Sequence, residues 1–200
     1  MIAWTDSVRT SGKLVIKVSQ LAGSWGHVFR QALREFNNLS SAHKLGVSIV
    51  EPKQTDKAEP NLTVQTASGP VSASYDGQTR SGQFDGGRLH GQTLLFWRDP
   101  ENVVEKGFIY LPSEPLVNTP SGQRPVGAGV MTVIAVHELL HACGLDNDDH
   151  STDLFQANPQ VDYGDTPAAD RVLIGRGPKG MPPLILDGAT AKKVRDLWAK

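Results

Sequence analysis

The sequence predicts an α+β fold, and three observations carry that prediction. Short runs rich in β-branched and aromatic residues recur between residues 13 and 111, one long amphipathic helical pattern interrupts them, and an apolar segment holding two histidines follows them. Two hundred residues with 38% hydrophobic content can bury a core of their own, which suits a single domain over residues 1–200.

Lys13–Val18 reads as a strand with Leu14, Ile16 and Val18 on one face. From Ser24, a residue type suited to an N-cap, Trp25, Val28, Phe29, Ala32, Leu33 and Phe36 recur at helical spacing, with Arg30, Gln31, Arg34 and Glu35 on the outer face. A second strand at residues 46–50 completes a strand, helix, strand unit, for which right-handed parallel pairing is expected. Residues 51–60 read as a loop before a third strand at 62–66. Between residues 68 and 89, Gly69, Pro70, Gly77, Gly82, Gly86 and Gly87 suit a long surface excursion. Strands resume at 91–97 and 107–111, ended by Pro100 and Pro112, and residues 113–129 form another connection rich in proline and glycine.

Residues 130–143 are expected to form the central helix, largely enclosed because Val130, Met131, Val133, Ile134, Val136, Leu139, Leu140 and Cys143 leave it no polar face. On that helix His137 and His141 stand one turn apart on one face, the i, i+4 geometry that lets two imidazoles grip one metal ion. Glu138 lies about 100° around the helix from His137. That offset keeps its carboxylate off the metal and near a water held there, whose proton it can accept as general base. Gly144 is placed to end the helix in a left-handed conformation, turning the chain back toward the metal. A catalytic zinc usually takes three protein ligands, and the run Asp146-Asn147-Asp148-Asp149-His150 offers candidates for the third.

His137, Glu138, His141 and Gly144 match the signature His-Glu-x-x-His-x-x-Gly-x-x-His, and in them the chain resembles the metzincin superfamily of zinc peptidases. The match departs at its last position, where Asn147 stands in place of the third histidine; a neutral amide oxygen is a poor zinc ligand. His150, reached by a loop three residues longer, is the preferred third ligand, with Asp146, Asp148 and Asp149 as alternatives and Asp153 or Asp165 as more distant ones. The resemblance implies a twisted, mixed five-stranded sheet in an upper lobe over about residues 1–144, and an irregular lower lobe over about residues 145–200. It implies that the fourth strand is an antiparallel edge above the cleft, where a peptide substrate pairs with the chain around Gly91, Gln92 and Thr93; His90 beside them is expected mainly as a surface residue. It also makes Met181 the candidate for a methionine-containing turn beneath the metal. After that, Asp187 reads as the N-cap of a terminal docking helix with Ala191, Val194, Leu197 and Trp198 on its apolar stripe. The close of the chain, residues 181–198, resembles that of matrix metalloproteinase catalytic domains.

The expected activity is endopeptidase cleavage with one Zn2+ ion and a peptide or protein substrate. Two alternatives stand beside it: a zinc hydrolase with a carboxylate third ligand, and a binding or structural protein that keeps a metal site without catalysis. The acidic run at 146–149 lacks the spaced oxygen pattern of a calcium loop, so calcium has no support. A net charge of −1 gives no electrostatic reason to expect nucleic acid or an anionic membrane as partner, and a monomer is expected. Neither a transmembrane run nor a secretory signal is visible, which leaves cytoplasmic action or release by another route as the expectation. Cys143, the single cysteine, is expected as a small buried apolar residue.

Overall fold

The computed structural model describes residues 1–53, 59–84, 90–119, 122–150, 184 and 186–199. Four helices and nine strands lie among them: α1 (Asp6–Ser11), β1 (Lys13–Val18), α2 (Trp25–His43), β2 (Ser48–Val50), β3 (Leu62–Ala67), β4 (Val71–Tyr75), β5 (Gln78–Gly82), β6 (Gln92–Arg98), β7 (Val103–Pro112), β8 (Leu116–Thr119), β9 (Gly122–Pro125), α3 (Ala128–Ala142) and α4 (Gly188–Trp198). A 3₁₀ turn at Asn147–Asp149 follows α3.

The five strands expected from sequence form one mixed sheet in the order β2-β1-β3-β7-β6. β1 pairs parallel with β2 and β3, β3 pairs parallel with β7, and β6 is an antiparallel edge on β7. Alternation along β7 divides the molecule. Ile109 and Leu111 join the main core beneath α2 and α3, whereas Phe108 and Tyr110 face a second cluster with Val71, Ala73, Leu94 and Phe96.

That second cluster corrects one expectation. Residues 68–84 do not form a loose excursion: β4 and β5 make a hairpin that covers the face of β6 and β7 opposite the helices. Asp76 and Gly77, both at positive φ, supply its two-residue turn, a pairing that suits a primed hairpin turn. The run 113–129 likewise contains a hairpin, β8–β9, rather than a plain connection. α1 was not expected, β7 begins four residues before the predicted strand, and Ser24 makes no side-chain cap because its backbone is already helical. Helix α4 starts as expected, with Asp187 accepting from the Ala189 and Thr190 backbone N–H groups.

Helix α3 is enclosed on nearly all sides, and its C-terminal end is held by two indoles. Trp4 Nε1 donates to the Ala142 carbonyl at 2.8 Å and Trp198 Nε1 to the Cys143 carbonyl at 3.0 Å, so two carbonyls that helix geometry leaves unpaired find donors in the core. No described helix is long and apolar enough to cross a membrane. Met181 and most of the expected lower lobe, including Asp153 and Asp165, lie outside the described residues.

Candidate metal centre

The centre is built where α3 ends. His137 and His141 share a helix face, and their Nε2 atoms lie 2.8 Å apart. Gly144, at φ +108°, reverses the chain, and a side chain there would collide with the Ile2 carbonyl oxygen, only 2.1 Å from where a Cβ would stand. Leu145 then offers its carbonyl to His141 Nδ1 at 3.0 Å. A carbonyl can only accept, so Nδ1 carries the hydrogen, and the Nε2 lone pair of neutral His141 faces the cluster. This is the arrangement that orients a metal-ligating imidazole.

The 3₁₀ turn brings in the third histidine. Asp146 and Asp149 cap that turn reciprocally, with the Asp146 N–H donating to Asp149 Oδ2 at 2.9 Å. The Met1 α-amino group lies 2.9 Å from Asp149 Oδ2 and 3.3 Å from Asp146 Oδ2, and Lys193 Nζ donates to the Asp149 carbonyl at 2.6 Å. Asn147 begins the turn in an exposed position. His150 ends it, and its Nε2 reaches 3.2 Å from His141 Nε2. The three histidines place their ligand atoms within 4.8 Å of one another, close enough to hold one metal ion. Asp146 and Asp149 are occupied in shaping the turn that delivers His150.

The donor set fits a divalent ion of intermediate softness. Three imidazoles suit zinc, copper, iron or nickel, and a ligand imidazole must be neutral. Burial and the neighbouring charges of His141, His150 and His90 push His137 down to about 3, and burial likewise lowers His141. Both therefore keep free lone pairs at neutral pH. Cys143 is fully enclosed, its thiol pushed up by burial and donating to the Leu139 carbonyl, so it behaves as the expected buried residue.

Glu138 is 2% exposed, yet its carboxylate has partners. Gly91 N–H donates to Oε1 at 3.1 Å and the Thr93 hydroxyl donates to Oε2 at 2.7 Å. Burial raises the carboxyl to about 7, and the bonds from Thr93 and Gly91 pull the other way. A carboxyl poised near neutrality can both take and return a proton. Gly91 and Thr93, singled out by the resemblance for substrate pairing, thus bind Glu138, while Gln92 packs against Gly82 of the hairpin. His90 is exposed beside them, its ring 5.8 Å from that of His137. The Glu138 contacts span 45 and 47 residues, and no local pattern in the sequence signals them.

Gly91 also has a steric reason to be glycine. A Cβ there would stand 2.5 Å from Glu138 Cγ and 2.8 Å from the Tyr110 carbonyl oxygen. Gly91→Ala is expected to cost about 1–3 kcal/mol as an overpacking change, read as a lowered midpoint in urea unfolding. An unchanged midpoint would mean that strand β6 stands further from α3 than described.

Compared with known proteins, the chain matches no family model and no curated protein.

Proposed function

We propose that this chain is a zinc-dependent endopeptidase of metzincin type, in which His137, His141 and His150 hold the ion and Glu138 is the general base. The observation that carries the reading is a three-imidazole cluster together with a buried glutamate on α3, the helix that supplies two of its histidines. A purely structural metal site needs no ionisable carboxyl there, and burying one has a desolvation cost that its hydrogen bonds to Gly91 and Thr93 must offset.

Held by His137, His141 and His150, a zinc ion would supply Lewis acidity, which lowers the pKa of a water to about 7 and polarises a carbonyl. The chain supplies the rest. Glu138 accepts a proton from the attacking water as its oxygen bonds to the carbonyl carbon, then passes that proton to the amide nitrogen as the carbon–nitrogen bond breaks. The products are a carboxylic acid and an amine, and Glu138 returns to its starting state. An extended peptide or protein segment is the fitting substrate, because β6 is the edge of the five-stranded sheet and an edge can pair with an added strand.

The test is hydrolysis of mixed peptides by the purified protein, with and without a chelator. Cleavage that the chelator abolishes and added zinc restores is expected. Absence of cleavage in the zinc-loaded protein across a broad peptide set would sink the peptidase reading.

A further inference from the structure

We propose that Thr93 is a positioning residue for Glu138, and that strand β6 thereby aligns the general base as well as offering the edge for substrate. The inference rests on the peptidase reading and extends it from the histidine helix to a second element.

A glutamate side chain has several torsions to fix, and one hydrogen bond leaves its carboxylate free to rotate. Here both oxygens are held, Oε1 by the Gly91 N–H and Oε2 by the Thr93 hydroxyl. Both anchors lie where β6 begins, Gly91 just before the strand and Thr93 as its second residue. Side chains alternate along β6, so Leu94 and Phe96 turn to the β4–β5 hairpin while Thr93 turns to α3. Gly91 permits the approach, since a Cβ in its place would overlap the Glu138 side chain. Two bonds do not exhaust the carboxylate, whose oxygens carry about four acceptor sites, so lone pairs remain for a water proton. The Thr93 hydroxyl also lies 3.2 Å from the Glu138 backbone carbonyl, which ties the strand to the helix at the same residue.

Misplacing a reacting group by about 1 Å can cost about 100-fold in rate, so loosening this clamp should act on turnover more than on binding. The experiment compares zinc-loaded parent, Thr93→Val and Thr93→Ser on one peptide. Thr93→Val is expected to lower kcat by about 10- to 100-fold with KM and zinc content unchanged, and Thr93→Ser to recover most of the loss. An unaltered kcat in Thr93→Val overturns the proposal, as does an equal loss in both variants accompanied by lost zinc or a lowered Tm.

A second measurement separates this claim from the one it rests on. The Tm values of Thr93→Val, Glu138→Ala and the double variant form a cycle that needs no activity. Non-additive shifts support the clamp even where no peptide is cleaved and the peptidase reading has failed; additive shifts overturn it.

Discussion

Glu138→Gln is expected to reduce peptide hydrolysis by about 10²- to 10⁴-fold while leaving the zinc content and the fold intact. The substitution keeps shape and removes only the ability to carry a proton. Its carbonyl oxygen can still accept from the Gly91 N–H, and its amide can donate to Thr93 Oγ1, whose hydroxyl then turns to the backbone carbonyl of residue 138, 3.2 Å away. Because burial disfavours the charged form of Glu138, the neutral amide should hold or raise the Tm. Measuring kcat/KM, zinc per chain and Tm together distinguishes a lost base from a lost fold. Undiminished turnover in this variant would remove Glu138 from the reaction.

His150→Ala is expected to strip the centre of its metal without unfolding the chain. Removing even an outer partner of a metal ligand costs about 10- to 100-fold in affinity, and deleting one of three ligands should exceed that. The turn that carries His150 is held by other groups: the reciprocal Asp146–Asp149 cap, the Lys193 bond to the Asp149 carbonyl, and the Trp198 indole on the Cys143 carbonyl. The backbone should therefore keep its course. Elemental analysis of the purified variant beside the parent, at matched Tm, reads the outcome. Zinc retained at about one per chain would move the third position to a carboxylate.

The helix carrying His137, Glu138 and His141 was legible because its information is local. An i, i+4 pair is set by helix geometry alone, and the apolar run around it announces burial. The five sheet strands were legible for the same reason, since strand periodicity and β-branched residues need no distant partner. Hairpin β4–β5 was hidden by its glycines and serines: Ser72, Ser74, Thr79 and Ser81 are polar, and its contribution to the second core comes from Val71, Ala73 and the partly buried Tyr75. The polar composition of that hairpin reads as loop until the sheet face it covers is known.

Local sequence carries a set of devices: two histidines one turn apart, a glycine placed to reverse the chain after them, and runs enough for five strands. The tertiary structure alone decided how those devices meet. It brings His150 to within 3.2 Å of His141 across a nine-residue separation, where the exposed Asn147 occupies the position at which the resemblance would place a ligand. It also sets Gly91 and Thr93 against Glu138 across more than forty residues. The physical reason is the difference in range. Helical and strand periodicity follow from backbone sterics within a few residues, whereas the contacts that orient Glu138 exist only once a sheet edge and a buried helix have packed together.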